Sequence, residues 1–325
     1  MSEWYDALHQ EGLLSDESLE KINQNKKTPL FSVHWELKTL LYAGVLMLTT
    51  GLGILVYENI DTIGHQFVLA FIALISLGSF FYCYKFRLPF SKEKVKAPNH
   101  VFDYVLLLGC ISFLTFTGYL QYQYHPFGTN YSLATFIPML VLFFTAYYFD
   151  HLGILSMAIA NLALWMGVSV TPRELLTKYD FDSETIIYTY LLLGVLLLVL
   201  AYATQKLHFK KHFKFSYQHY GVHITFIILL AGYFHFYDSF AAALWMLGVF
   251  GLAGLVYFDG YRNKSFYFLL LVTLYSYFAV SSLVVRGLMQ SNEGEGIYIM
   301  LLYFIASGAG VAVWLINLNK KIKSA

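Results

Sequence analysis

The stretch Leu133–Val170 reads LATFIPMLVLFFTAYYF-DH-LGILSMAIANLALWMGVSV, and its pattern decides the fold. Two long apolar runs meet at a single polar pair, Asp150-His151. Roughly 20 apolar residues in an α-helix cross a hydrocarbon core of about 30 Å. A membrane strand would instead alternate apolar and polar residues over about ten positions, and neither run alternates. The pair therefore joins two helices, as a tight hairpin or as part of a re-entrant element. A hairpin is favoured, because irregular backbone facing lipid leaves its polar groups unsatisfied.

Working outward, the same reading gives eight further spans: Thr39–Tyr57, Gln66–Tyr84, Tyr104–Tyr122, Thr185–Thr204, Val222–Phe236, Phe240–Phe258, Phe266–Val285 and Ile297–Leu318. None of the ten segments contains Asp, Glu, Lys or Arg, each of which costs roughly 2.5–3.5 kcal/mol at mid-membrane on insertion scales. Of the 325 residues, 58% are hydrophobic and 13% charged, against about 25% charged in a soluble domain. The expected fold is all-α: a polytopic bundle of about ten transmembrane helices. The three-residue link Tyr237-Asp238-Ser239 is nearly as short as Asp150-His151 and carries the same hairpin-or-re-entrant alternative.

The loop charges orient the bundle. If ten spans alternate, Lys21, Lys26, Lys27, Lys38, Lys85, Arg87, Lys92, Lys94, Lys96, Lys206, Lys210, Lys211, Lys214, Arg262, Lys264, Lys320, Lys321 and Lys323 share one side, which is 18 of the 21 basic residues. The opposite side keeps Arg173, Lys178 and Arg286 and is rich in acids, among them Glu58, Asp61, Glu174 and Asp182. Positive charge marks the cytoplasmic face, so both termini are expected there. The chain divides into a short cytoplasmic helical hairpin and linker (1–36), the transmembrane bundle (37–319) and a basic tail (320–325).

Ahead of the first span, Ser2 can cap a short helix that Gly12 stops. Ser15 can cap a second, with Asp16 and Glu17 favoured by the helix dipole and Leu14 and Leu19 at hydrophobic-staple spacing. Two such short helices cannot hold a core of their own. They are expected to dock on the cytoplasmic loops, on a cytoplasmic protein partner, or on a second copy through residues 1–30.

The run Leu8-His9-Gln10-Glu11-Gly12-Leu13-Leu14-Ser15-Asp16-Glu17-Ser18-Leu19-Glu20-Lys21-Ile22 resembles the opening of a family of predicted bacterial membrane proteins, domain of unknown function 2157. Its members begin with a Gly-Leu-Ile/Leu-Ser helical hairpin and continue into many spans. The resemblance implies a multi-pass protein of the bacterial inner membrane and carries over no catalytic residue.

Several residues stand out as candidate ligand contacts. Asn161 is the most polar residue near the middle of any span; a buried amide there can line a cavity or bind a neighbouring helix. Pro138 removes a backbone donor and frees a carbonyl. Asp150, His151 and Asp259 lie at cytoplasmic span ends, and Asp150-His151 could handle a proton. Ala146–Asp150 and Leu255–Asp259 are similar in sequence, four spans apart, which fits a parallel four-helix repeat. Small residues Gly248, Gly251, Gly254, Ser307, Gly308 and Gly310 are spaced for close helix packing. His208, His212, His219 and His223 form two i,i+4 pairs, but Lys206, Lys210, Lys211 and Lys214 are interleaved and would repel a metal ion. The aromatic-rich stretch is expected to lie as an interfacial helix whose lysines meet lipid phosphates.

Cys83 and Cys110 sit inside apolar runs and offer no disulfide or zinc framework. Phosphate loops, nucleophile elbows, zinc-protease motifs and dinucleotide fingerprints are missing, so no cofactor, metal or nucleic-acid partner is expected. The leading reading is transporter-like handling of a small or amphipathic molecule. The alternatives are a scaffold or sensor that docks a partner through its N-terminal hairpin, and a membrane-embedded enzyme built on Asp150, His151 and Asp259.

Overall fold

The computed structural model describes residues 14–27, 64–128, 130–170, 184–291 and 296–324, with isolated positions between 9 and 58. The first expected span (Thr39–Tyr57), the capping by Ser2 and the loop 171–183 lie outside the continuously described residues. Every regular element described is a helix. The chain falls into two compact units, Met1–Val68 and Leu69–Ala325.

In the first unit, α1 (Asp16–Lys27) starts where Ser15 accepts the Ser18 N–H on its hydroxyl, 3.3 Å away. Gly12 precedes it at φ +74°, a left-handed conformation that glycine adopts without strain. Lys21 pairs with Glu17 one turn back at 2.6 Å.

The second unit holds the bundle: α2 (His65–Phe86, which begins in the first unit), α3 (His100–Tyr124), α4 (Tyr131–Phe149), α5 (Leu152–Val170), α6 (Glu184–Lys206), α7 (Phe213–His235), α8 (Ala241–Arg262), α9 (Phe266–Ser291) and α10 (Gly296–Ser324). Among the described residues, eight helices are long and apolar enough to cross a membrane: α2, α4, α6, α8 and most of α3, α5, α9 and α10. Both short links join continuous helices, α4 to α5 across Asp150-His151 and α7 to α8 across residues 236–240, so these segments are helical hairpins. Pro138 is buried inside α4 without ending it.

α7 is the exception to the composition rule. It lies outside the eight apolar helices and begins nine residues before the expected span, so it takes in Lys214, Gln218 and His219. Twelve of its residues are buried. It belongs to both cores. Phe213 and Tyr217 close the first, with Leu106, Leu142, Ile154, Leu193 and Leu197. Val222, Phe226, Leu229 and Tyr233 build the second, with Trp245, Val249, Phe268 and Val272.

Lipid tails are as apolar as leucine, so helices here associate by close packing and hydrogen bonds rather than by hydrophobic burial. The closest backbone approaches use glycines that the spacing did not point to. A Cβ on Gly194 of α6 would lie 3.0 Å from the Thr225 backbone nitrogen of α7, and one on Gly221 of α7 would lie 3.1 Å from the Leu198 nitrogen of α6. On Gly232 it would enter the Trp245 ring. Of the predicted packing set, Gly248 faces Leu229, whereas Gly251, Gly254, Gly308 and Gly310 meet no atom within 4 Å among the described residues. Ser307 is held by Tyr277 across α9 and α10 at 3.0 Å.

Candidate functional site

At the basic end of the bundle, Asp150 caps α4 in the left-handed region (φ 60°), its N–H returning to the Ala146 carbonyl. Aspartate tolerates this conformation better than most residues. Its carboxylate turns inward and is engaged on both oxygens. Oδ1 accepts from His212; Oδ2 accepts the Val95 N–H and faces the Lys210 ammonium at 3.2 Å. The side chains of Asp150 and Lys210 are 1% and 0% exposed. The Lys210 N–H bonds the Lys92 carbonyl at 2.8 Å, and Phe90 lies 5.1 Å from its ammonium. Two loops and the α4 end are thereby tied together.

This geometry revises three expectations. Residues 208–212 form a tight turn, with His208 and Lys210 at positive φ, instead of an interfacial helix. Lys210 cannot reach a lipid headgroup, because Asp150 draws it inside. Lys206 and Lys211 remain exposed, and Lys214 pairs with Asp259 at 3.6 Å. Asp150 also does not pair with its neighbour: His151 faces Asp103 at 3.8 Å and accepts the Ile154 N–H on Nδ1 at 3.2 Å.

Asp259, in the last turn of α8, is also engaged but more exposed. It accepts from Gln218 at 2.8 Å and from the Asn263 amide at 2.8 Å. Asp150 and His151 line an open cleft of about 650 Å³; Asp259 lines another of about 390 Å³. His212 lines both. The three residues proposed for an embedded enzyme therefore do not converge on one reacting position.

Burial pushes the His151 imidazole below its ordinary pKa, with Asp103 opposing in part. The unfolded chain then binds the extra proton first, so stability contributed by neutral His151 is present at high pH. It is lost as pH falls from about 6.5 towards the depressed folded value. Thermal midpoints of the wild type and His151→Gln between pH 8 and 5 should converge towards the acid end. Parallel curves would contradict this.

A third constellation lies on α7 and α9. His219 Nδ1 is 2.5 Å from the Tyr267 hydroxyl, which lies 3.3 Å from His223 Nε2. His223 Nδ1 is 2.7 Å from the Tyr275 hydroxyl. Phe226 stacks on Tyr275 with centroids 4.7 Å apart. The histidine pair was visible in the sequence, but its partners were not. Tyr267 and Tyr275 stand eight residues apart on α9, about two helical turns, twice the spacing of the histidines, so Tyr267 bridges His219 and His223 and Tyr275 meets the far side of His223.

From His223 and Tyr275 runs an open groove of about 590 Å³, walled by Ile227, Leu230, Ala231 and Phe234 of α7 and Leu271, Leu274 and Phe278 of α9. Neither Asn161 nor Pro138 lines any of these three clefts. The Asn161 Oδ1 is buried in α5 with no hydrogen-bond partner among the described residues, as is the Tyr233 hydroxyl in α7.

These helices define a polytopic α-helical membrane protein. Residues 6–155 match the model of a family described as "Predicted membrane protein (DUF2157)". No curated protein and no solved structure matches the chain. The matched region contains Asp150 and His151 but ends before α6, so the His–Tyr chain and the apolar groove lie beyond it.

Proposed function

We propose that this chain is a transporter-like protein of the bacterial inner membrane, both termini cytoplasmic, that takes an amphipathic molecule from the bilayer into the α7–α9 groove. The carrying observation is the groove itself: about 590 Å³ of apolar wall between two helices, with His223 and Tyr275 as its polar residues. Small-molecule sites have this size and this mixture of apolar wall and few polar groups. Ile227, Phe234, Leu274 and Phe278 are exposed along it, which suits entry from the side. The orientation rests on the separation of 18 of 21 basic residues. Asp150 and Asp259 are each held by structural partners and line different clefts, which favours this reading over an enzyme.

The test uses the full chain in nanodiscs with a diazirine-bearing acyl probe. Labelling should concentrate on residues 223–234 and 271–278. The double variant Leu230→Trp/Leu274→Trp fills the groove and should lower that labelling about tenfold, equivalent to about 1.4 kcal/mol. Equal labelling in the filled variant, or labelling spread evenly over the apolar helices, would overturn the proposal.

A further inference from the structure

We infer that the groove selects an amphipath with an uncharged hydrogen-bonding head, a hydroxyl or carbonyl group, seated against Tyr275; this substrate class rests on the groove reading above. Among the described residues, His223 and Tyr275 are the only polar ones lining the groove, and no carboxylate, lysine or arginine lines it. A phosphate or ammonium head brought there would be stripped of water without a counter-charge, which is costly. A neutral head needs only one good hydrogen bond.

The His–Tyr chain supplies that bond in either sense. A neutral imidazole donates from one nitrogen and accepts at the other, and a phenol donates once while retaining acceptor capacity. In one polarity His219 carries its proton on Nε2. Tyr267 donates to His219, His223 donates from Nε2 to Tyr267, and Tyr275 donates to His223 Nδ1. Tyr275 then offers the groove only lone pairs. In the other polarity His219 donates from Nδ1 to Tyr267, Tyr267 donates to His223 Nε2, and His223 donates from Nδ1 to Tyr275. The Tyr275 hydroxyl hydrogen is then free for the occupant. Both states hold the same protons and no net charge; each imidazole has moved its proton from one nitrogen to the other. All three distances, 2.5, 3.3 and 2.7 Å, serve both arrangements. A head that donates, such as an alcohol, and one that only accepts, such as a ketone, are therefore both accommodated.

Probes sharing one diazirine-bearing hexadecyl tail and ending in a hydroxyl, a methyl ketone, a phosphate, a trimethylammonium group or plain hydrocarbon test this in nanodiscs. The alcohol and ketone should label residues 223–234 and 271–278 more strongly than the phosphate or ammonium probes. Tyr275→Phe keeps the ring on Phe226 and should lower the alcohol-to-hydrocarbon labelling ratio up to about tenfold, the loss of one hydrogen bond. Preference for the phosphate, or for the ammonium through the aromatic rings, would overturn the head-group assignment; so would an unchanged ratio in Tyr275→Phe. The groove reading fails separately, when the filled variant Leu230→Trp/Leu274→Trp labels with every probe as the wild type does.

Discussion

Asp150→Ala should lower the unfolding free energy by about 3–5 kcal/mol, the range for removing one partner of a buried ion pair. The lysine left behind has a side chain with no exposure, so its charge would lose its counter-ion without gaining water. The variant also strands the His212 ring and the Val95 N–H, both of which end on this carboxylate. An alanine at φ 60° adds backbone strain of about 1–2 kcal/mol. Asp150→Asn separates the two effects, because asparagine accepts the left-handed conformation but not the charge. Thermal unfolding in mild detergent should rank wild type above Asp150→Asn above Asp150→Ala. The double variant Asp150→Asn/Lys210→Met should recover most of what Asp150→Asn loses, since an apolar chain replaces the uncompensated cation. A double variant no more stable than Asp150→Asn would show that the stranded Lys210 charge is not the source of the loss.

Gly194→Val should destabilise the bundle by about 1–3 kcal/mol or more, the usual cost of overpacking. The added atoms would meet Thr225 of α7, both its hydroxyl and its backbone nitrogen, the latter 3.0 Å from the nearest new carbon. Thr225→Ala removes the hydroxyl, which itself bonds the Gly221 carbonyl at 2.6 Å, but leaves the backbone in place. Adding Thr225→Ala to Gly194→Val should therefore recover only part of the loss. Full recovery would mean that the two backbones are not in close approach. Gly251→Val on α8, where no atom of the described residues lies within 4 Å, is the contrasting control and should change stability little.

The apolar runs and their breaks were legible in the sequence because a span must satisfy its own backbone, and that requirement writes itself into about twenty consecutive residues. The Asp150-His151 hairpin follows directly from this rule. The site residues were only half legible. Asp150 drew attention by its position, but its partner was expected to be the adjacent His151, whereas the fold supplies His212 and Lys210 from a turn some sixty residues away. Lys210 read as a headgroup contact because a lysine among aromatics at a span end usually is one. Only the three-dimensional closeness of α4, the 87–99 segment and the 207–212 turn compensates its burial. Asn161 and Pro138 stood out by their chemistry, yet neither lines the groove, whose walls are mostly ordinary leucine, isoleucine and phenylalanine with no local signature.

The composition of α7 bears on how the chain is made. A helix carrying Lys214, Gln218, His219 and His223 gains little from leaving the insertion machinery alone, since each polar group would meet hydrocarbon before it met a partner. Its partners arrive on either side in order of synthesis. α6 precedes it and presents Gly194 and Leu198; α8 and α9 follow with Asp259, Tyr267 and Tyr275. The eight apolar helices have the composition of a span by themselves, whereas the polar groups of α7 find their partners on α8 and α9, which follow it in the chain, so for this helix crossing the membrane and acquiring tertiary contacts are expected to be coupled.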